Sequence, residues 1–238
     1  MPRLQTVILD TLRLSSRLIG DVRWWERRRC SVHRRWLIPD HLAQPDALKA
    51  EVAKILLLMP KPQVVRAMVS PHTVFGYSGA VAGAVYARFD CPAVFLIRRS
   101  NHRGMGEPLA LMGDGEWEIP LGTVAIEQGV ATALRSACLI IRDDAVAHGR
   151  EHSLEVQLPF LQRLGTFSQI LPLILGAVSY EFCQELAHGI AHTVRRTNRA
   201  VVVIASTDMT HCGHRFPYFP PAGMTTQPFA YQEDLYAI

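Results

Sequence analysis

The sequence predicts an α/β fold in which a mainly parallel or mixed sheet is sandwiched by helices. Short apolar runs of strand length alternate with segments of helical periodicity along most of the chain. Several of these runs are apolar on both faces, as a strand covered by helices on both sides requires. Hydrophobic residues make up 49% and charged residues 19% of the 238 residues, which excludes a wholly disordered chain.

The predicted elements begin near residue 40. A first helix over residues 40–59 rests on apolar residues with the helical period at Leu48, Val52 and Ile55, and Pro60 ends it. The predicted strands cover residues 64–70, 93–98, 137–141, 169–175 and 200–206. The further predicted helices cover residues 79–87, 154–164 and 181–196. Strands that alternate with helices in this way favour parallel neighbours in the sheet.

The positive charge of the chain is concentrated at its start. Residues 1–35 hold nine Arg against three acidic residues, whereas the rest holds 16 basic and 18 acidic residues. We predict a basic, atypical leader over residues 1–35, followed by one α/β domain over residues 36–238. Residues 231–238 resemble the first turns of a helix without a stop signal, so we expect this domain to be incomplete at its C-terminus.

Composition also bounds the compartment and the partners. The five cysteines are widely spaced and form no Cys-x-x-Cys pair, which is typical of a reducing compartment. No apolar run approaches the roughly 18 residues that span a bilayer, and the start lacks the pattern of a secretory signal. No nucleic-acid-binding motif accompanies the basic leader. We therefore expect a cytoplasmic protein that binds neither membrane nor nucleic acid.

Titratable residues lie just beyond the ends of three predicted strands. His72 follows the first strand, His102 follows the second, and His211 follows the last. The ligand crevice of an open α/β sheet lies outside the carboxyl ends of its strands, so we expect these imidazoles to converge there. Neutral imidazole is the commonest metal ligand, and two histidines with a carboxylate suit Fe(II). The sequence predicts a metal site of these three histidines, although each alone also fits a hydrogen-bonded loop residue.

Other polar residues of these segments are candidates for catalysis and substrate binding. His152 and Glu155 lie at the start of a predicted helix, where His152 could be a metal ligand, a general base or an orienting group. Ser153 is the N-cap of this helix, or the helix begins earlier and His152 shares a face with Glu155. Asp208 supplies a carboxylate or caps a following helix. The predicted catalytic residues are thus His152, Glu155 and Asp208, and the predicted substrate-binding residues are Tyr77, Asn101 and Arg103.

The glycine-rich segment at residues 76–79 does not match a nucleotide-binding loop. It lacks both the phosphate-loop pattern and the dinucleotide-binding pattern, and the chain has no serine-hydrolase elbow. We interpret Gly76 and Gly79 as residues that allow a tight turn from strand to helix.

Several segments resemble, in order along the chain, the Memo family, known in prokaryotes as the AmmeMemoRadiSam system protein B. The resemblance runs from about residue 36 to the end, and its most specific block is Glu-His-Ser-Leu-Glu-Val-Gln-Leu-Pro-Phe at residues 151–160. The other matching segments are residues 70–72 with 75–79, 100–102 with 104, 174–176 and 205–211.

The resemblance implies a fold similar to the class III extradiol, LigB-type dioxygenases, which hold non-haem iron with two histidines and a carboxylate. Eukaryotic members of the Memo family have been assigned a redox-active copper or iron site. Carried over by position, that site falls on His72, His102 and Thr210, where the animal proteins have cysteine at the third position. Threonine is a poor metal ligand, which argues against a copper-type redox site and leaves a site based on histidine. The further residues that the resemblance implies near this cleft are His152, His211 and Cys212.

These observations lead to one leading function and two alternatives. The leading function is a Memo-family protein with a His-lined, metal-capable cleft for Fe(II) or Cu, in the AmmeMemoRadiSam modification system beside a radical-SAM enzyme and an AMMECR-domain protein. The first alternative is a non-haem iron extradiol-type dioxygenase, which is a metal-dependent oxidoreductase. The second is a non-enzymatic module for a peptide or small ligand, in which Arg98, Arg99 and Arg103 would contact an anion.

Overall fold

The computed structural model describes residues 44–56, 64–73, 75–88, 94–102, 104–149, 151, 153–165, 168–214, 216 and 218–236. The predicted leader over residues 1–35 and the predicted domain start at residue 36 lie outside these residues. The chain divides into two compact units, which meet in sequence between Thr207 and Asp208. Each unit is described by itself.

The larger unit alternates strands and helices. Its helices are α1 (Pro45–Leu56), α2 (Phe75–Tyr86), α3 (Gln128–Ala137), α4 (Leu158–Leu164) and α5 (Tyr180–Arg196). Its strands are β1 (Ala67–Ser70), β2 (Val94–Ser100), β3 (Leu109–Leu111), β4 (Glu116–Ile119), β5 (Gly122–Ala125), β6 (Arg142–Asp143), β7 (Gln169–Leu175) and β8 (Val201–Ser206). The smaller unit carries α6 (Thr226–Leu235).

Six strands form one mixed sheet in the order β1-β8-β2-β7-β3-β6. The first four strands of this order are parallel, β3 runs antiparallel to β7, and β6 is parallel to β3. Strands β4 and β5 form a separate antiparallel hairpin. The predicted mainly parallel or mixed sheet is therefore confirmed, and its last strand in sequence, β8, lies between β1 and β2.

Helices cover both faces of the sheet. Successive side chains of the central strands point to opposite sides, and each set packs against the helices on its own side. Phe95 and Ile97 of β2 pack on one face in a core cluster with residues of α1, α2 and α4. Val94 and Leu96 pack on the other face with residues of α3 and α5. All four side chains are fully buried. The predicted covering of both faces by helices is confirmed.

Most predicted strands are confirmed, but one is wrong. The strands predicted at residues 64–70, 93–98, 169–175 and 200–206 correspond to β1, β2, β7 and β8. The strand predicted at residues 137–141 is wrong, since α3 ends at Ala137 and Cys138 is its C-cap. A short apolar run cannot by itself distinguish a strand from a buried helix end. The sequence patterns also leave β3, β4, β5, β6 and α3 unpredicted.

The predicted helices are confirmed with shifted ends. Helix α2 begins at Phe75, so Gly76 and Gly79 lie inside a helix and do not form the predicted turn. Helix α4 begins at Leu158, with a proline in its first turn, where the fixed φ and missing N–H of proline are well tolerated. Residues 153–157 are turns, so Ser153 is not a helix N-cap. Within the described residues, no helix is both long and apolar enough to cross a membrane.

Helix α2 approaches α1 closely at Gly83. A Cβ atom at Gly83 would overlap with Cγ2 of Ile55 and would lie 3.5 Å from Cε1 of Phe160. A Cβ atom at Gly76, in the same helix, would have no neighbouring atom within 4 Å. The absence of a side chain at Gly83 therefore permits the packing of the two helices, whereas Gly76 has no such role.

We expect Gly83→Ala to lower the free energy of unfolding by about 1–3 kcal/mol, because the added methyl group forces Ile55 or the helix backbone to move. Gly76→Ala is the matched control and should leave stability equal or raise it by about 0.5–1 kcal/mol, since alanine favours a helix. Urea unfolding followed by circular dichroism measures both values. A Gly83→Ala chain as stable as the Gly76→Ala chain would contradict the packing argument.

Candidate functional site

The carboxyl ends of β1, β8 and β2 lie side by side at one edge of the sheet. Ser206 of β8 is in register with Ser70 of β1 on one side and with Arg99 of β2 on the other. His72 follows the end of β1, and His102 follows the end of β2. The crevice of an open α/β sheet lies at this edge, as the sequence prediction assumed.

The imidazoles of His72 and His102 meet at this edge. Their ring centroids are 5.1 Å apart, with an angle of 66° between the ring planes. His72 is 4% exposed, whereas one third of the His102 side chain is exposed. The structure therefore brings together two of the three histidines that the sequence predicts as metal ligands.

His102 is held by the buried carboxylate of Glu151. Oε1 of Glu151 lies 2.8 Å from Nδ1 of His102, and Oε2 accepts a hydrogen bond of 2.9 Å from the His102 backbone N–H. Oε1 also accepts a hydrogen bond of 3.0 Å from the Ser153 hydroxyl. Both oxygens of Glu151 thus serve to fix the loop and the ring of His102.

Glu151 is ionised in the folded chain. Burial alone raises the pKa of Glu151, but hydrogen bonds from His102, together with the positive charges of His102 and Arg99, hold that pKa well below its usual value. A carboxylate can only accept, so Nδ1 of His102 carries a proton and donates it to Oε1. The lone pair of the neutral His102 ring is then on Nε2, the arrangement that carboxylates impose on metal-binding histidines.

Arg99 and His148 support the loop of Glu151 from the core side. Arg99 is fully buried on β2; Nη1 donates a hydrogen bond of 2.9 Å to the Glu151 carbonyl, and Nη2 lies 2.8 Å from Nδ1 of His148. The guanidinium also lies over the Trp117 ring, 5.6 Å from its centroid. The prediction that Arg99 contacts an anionic ligand is therefore wrong, because its guanidinium is engaged in the core. Arg98 alternates onto the opposite side of β2.

His148 is neutral and has one defined tautomer. A guanidinium can only donate, so Nδ1 of His148 accepts from Arg99, and Nε2–H donates to the Ala110 carbonyl at 3.2 Å. Burial, with the neighbouring charge of Arg99, holds the pKa of His148 well below its usual value. Protonation of this ring requires the loss of the Arg99 contact.

The other predicted site residues of the larger unit occupy different environments. Glu155 is 3% exposed, on the turn that precedes α4. Asn101 donates a hydrogen bond of 2.8 Å to the Met105 carbonyl, so its amide group supports the loop after β2. Tyr77 is 82% exposed in the first turn of α2. The predicted residues Arg103 and His152 lie outside the described residues.

The predicted site residues of the smaller unit form a local cluster. Nε2 of His211 lies 3.7 Å from Oδ2 of Asp208, and Nδ1 of His211 lies 2.8 Å from the Met209 carbonyl. The His211 ring also packs edge-on against Phe216, with a centroid distance of 5.0 Å. No helix begins in residues 209–214, so Asp208 is not the N-cap of a following helix. Cys212 contacts the Thr226 carbonyl through its sulfur, at 3.8 Å.

Across the parts of the chain that the structure describes, no group of three or more His, Cys, Asp or Glu side chains is arranged to hold a metal ion. The described part of the candidate site is therefore an imidazole pair with one carboxylate that orients it. Imidazole nitrogen suits iron, copper and zinc.

Comparison with known proteins assigns the chain to a family. The family model described as Memo-like protein matches residues 41–238, which is well over half of the chain. The chain belongs to the Memo family. The resemblance found in the sequence, in the blocks around His72, His102 and residues 151–160, is thereby confirmed.

Three archaeal relatives, each named MEMO1 family protein, illustrate this similarity. The relative from Caldivirga maquilingensis is 38% identical over 152 residues, covering 63% of this chain and 54% of the relative. The relative from Archaeoglobus fulgidus is 40% identical over 169 residues (71% and 63%), and that from Pyrobaculum aerophilum is 37% identical over 169 residues (69% and 60%). This Memo-family chain spans about half the length of the curated relatives it matches.

The supporting residues of this Memo-family site were largely missed by the sequence patterns. Glu151 stands in the most specific family block, yet nothing in the sequence indicates that it pairs with His102. The burial of Arg99 could have been predicted, because the alternation along β2 places it on the same buried face as Phe95 and Ile97. The role of His148 could not, because it depends on the packing of a loop onto β2.

We expect Glu151→Gln to lower the free energy of unfolding by about 1–3 kcal/mol, because an amide nitrogen replaces one of the two oxygens and cannot accept the hydrogen bond that His102 makes there. The substitution also removes the negative charge beside Arg99. Urea unfolding at pH 7.5 measures the change. Glu118→Gln, at an exposed position of β4, is the matched control and should change stability by less than about 0.5 kcal/mol. Equal stability of the two variants would show that Glu151 does not hold this loop.

A second prediction concerns pH. Because the pKa of His148 is lower in the folded chain than its ordinary value of 6.5, the unfolded chain binds the extra proton, and stability falls as pH drops below that value. Between pH 7.5 and 5.5 we expect this residue to lower the free energy of unfolding by on the order of 1 kcal/mol. His148→Gln should remove this part of the pH dependence, whereas His188→Gln, on the exposed side of α5, should retain it. An identical pH profile in both variants would rule out a buried neutral His148.

Proposed function

We propose that this chain binds a transition metal ion, Fe(II) or copper, through His72 and His102. The observation that supports this proposal is the convergence of the two imidazoles at the carboxyl edge of the sheet, with their centroids 5.1 Å apart. Two imidazoles that bind one ion through nitrogen at about 2.0–2.1 Å have ring centres roughly 4.5–5.5 Å apart. The separation of the pair falls within this range.

The hydrogen bonds of the two imidazoles also suit metal binding. The ionised Glu151 keeps a proton on Nδ1 of His102, so the lone pair of this ring is on Nε2. Nδ1 of His72 lies 3.1 Å from the Ser206 hydroxyl, so this ring too is oriented through its Nδ1 atom. Ligands that are oriented by hydrogen bonds through their second nitrogen bind metal more tightly than unsupported ones. When bound, the ion would supply Lewis-acid or redox chemistry at this edge.

The remaining site predictions belong to the same proposal. His211 stays the predicted third ligand, with His152, Glu155 and Asp208 as predicted catalytic residues. The predicted substrate-binding residues are Tyr77, Asn101 and Arg103. Membership in the Memo family supports a place in the AmmeMemoRadiSam modification system, beside a radical-SAM enzyme and an AMMECR-domain protein.

The metal-capable cleft is preferred over the two alternatives because of where the charged groups lie. An extradiol-type dioxygenase needs a carboxylate on the iron. Glu151, which contacts His102, already gives both of its oxygens to His102 and Ser153, so Glu155 or Asp208 would have to supply that carboxylate. A module for an anionic peptide would use the three arginines near His102, and one of them, Arg99, is buried beneath the site. The imidazole pair serves metal binding without either requirement.

We expect the purified chain to bind up to one equivalent of Fe(II) under anaerobic conditions, or of Cu(II). His72→Ala and His102→Ala should each weaken binding at least tenfold, because each removes one of the two nitrogen donors. Isothermal titration calorimetry gives the affinity, and metal analysis after desalting gives the stoichiometry. His188→Ala, at an exposed position of α5, is the matched control and should bind like the unsubstituted chain.

Circular dichroism and urea unfolding of each variant identify any loss of binding that is caused by unfolding. If His72→Ala does not fold, His72→Asn replaces it, because asparagine keeps a polar group in the buried position. If both His→Ala variants stay folded and bind Fe(II) and Cu(II) as tightly as the control, the imidazole pair is not the metal site.

A further inference from the structure

Ser206 lies at the carboxyl end of β8, next to the imidazole of His72. Its hydroxyl oxygen is 3.1 Å from Nδ1 of His72, 3.0 Å from Nε2 of Gln157 and 2.7 Å from the Ser153 carbonyl oxygen. Ser206 is fully buried, as are Ser153 and Gln157. One hydroxyl group therefore contacts the His72 side of the site and the loop that holds His102.

The partners of this hydroxyl decide which atom donates in each contact. A carbonyl oxygen can only accept, so the single proton of Ser206 goes to the Ser153 carbonyl. The Ser206 oxygen must then accept from its two other neighbours. Nδ1 of His72 consequently carries a proton and donates it to Ser206, and the lone pair of the neutral His72 ring is on Nε2.

Gln157 is fixed in the same way. Its amide nitrogen donates to the Pro71 carbonyl at 2.9 Å, and this carbonyl cannot donate in return. Its amide oxygen then faces the Tyr86 hydroxyl, which donates at 2.7 Å. Burial raises the pKa of Tyr86 well above its usual value, so the phenol keeps the proton that it donates. The orientation of Gln157 leaves Ser206 no alternative to accepting from it.

We propose that Ser206 is a positioning residue that fixes His72 in the tautomer with the proton on Nδ1 and ties this ring to the loop that carries Glu151 and Ser153. The same hydroxyl also contacts the Ser153 carbonyl, on the loop whose Glu151 holds His102. The consequence for metal binding rests on the function proposed above, but the assignment of the tautomer does not.

The assignment has a direct consequence for the donor atoms of the site. With Ser206 present, both rings carry their protons on Nδ1 and their lone pairs on Nε2. In a chain without this hydroxyl, position 206 offers no oxygen to accept the proton on Nδ1 of His72. That proton can then move to Nε2. A ring in that form offers the wrong nitrogen, and we expect the affinity for Fe(II) to fall about 10–100-fold.

The test uses the whole metal-free chain, labelled with ¹⁵N, at pH 8. Long-range proton–nitrogen correlation spectra report which ring nitrogen of each neutral histidine carries the proton, with His72→Asn for assignment. We expect the Nδ1–H form of His72 in the unsubstituted chain. We expect a shift to the Nε2–H form, or to a mixture, in Ser206→Ala. Ser206→Thr keeps the hydroxyl and should restore the Nδ1–H form, and Ser136→Ala, on the exposed side of α3, should change nothing.

Anaerobic titration with Fe(II) gives the second readout. It uses the unsubstituted chain and the variants Ser206→Ala, Ser206→Thr and Ser136→Ala. Weaker binding in Ser206→Ala, with recovery in Ser206→Thr, supports the proposal. An Nε2–H form of His72 in the unsubstituted chain overturns it, and so does an unchanged tautomer in a folded Ser206→Ala chain. If the tautomer changes as expected but no chain binds Fe(II), the positioning role stands and the metal function fails. If Fe(II) binds equally and the tautomer is unchanged in Ser206→Ala, the positioning role fails alone.

Discussion

The buried carboxylate of Glu151 is the interaction on which the arrangement of the candidate site depends. A charged group removed from water is costly unless it is paired and hydrogen-bonded, and Glu151 meets this condition with donors from His102 and Ser153 and with the charge of Arg99. Each of these partners is thereby held in place. The loop at residues 151–153 joins β8 through the Ser206 contact, so the position of one carboxylate fixes a loop, a strand end and an imidazole together.

The polar network differs in character from the rest of the core. The centre of the sheet is apolar on both faces and would tolerate hydrophobic substitutions that conserve volume. The network around Glu151 has no such tolerance, because a lost partner leaves a buried donor or acceptor unsatisfied. Arg99 illustrates this constraint: its guanidinium contacts a backbone carbonyl, the ring of His148 and the face of Trp117. Such networks specify one arrangement, and the metal binding proposed for the histidine pair would need that precision.

The fold and the site were predictable to different depths. The central strands β2, β7 and β8 were predicted because a strand that is buried on both faces has a continuous apolar run. The strands β3, β4 and β5 have three or four residues each, too few for a period to appear, and the apolar run at residues 137–141 belongs to a helix end and the turn after it. His72 and His102 were found because the ends of parallel strands share an edge. The roles of Glu151, Ser206 and Gln157 arise only from contacts between segments distant in sequence.

The position of β8 between β1 and β2 also bears on how the site comes into being during synthesis. The chain emerges from the ribosome in sequence order, so both histidines leave the exit tunnel about a hundred residues before Ser206 does. Strands β1 and β2 are not neighbours in the finished sheet, and each pairs with β8 instead. A nascent chain that lacks β8 has no template that sets the distance between the two imidazoles. The two imidazoles therefore gain the spacing seen in the folded chain only when β8 pairs with both strands.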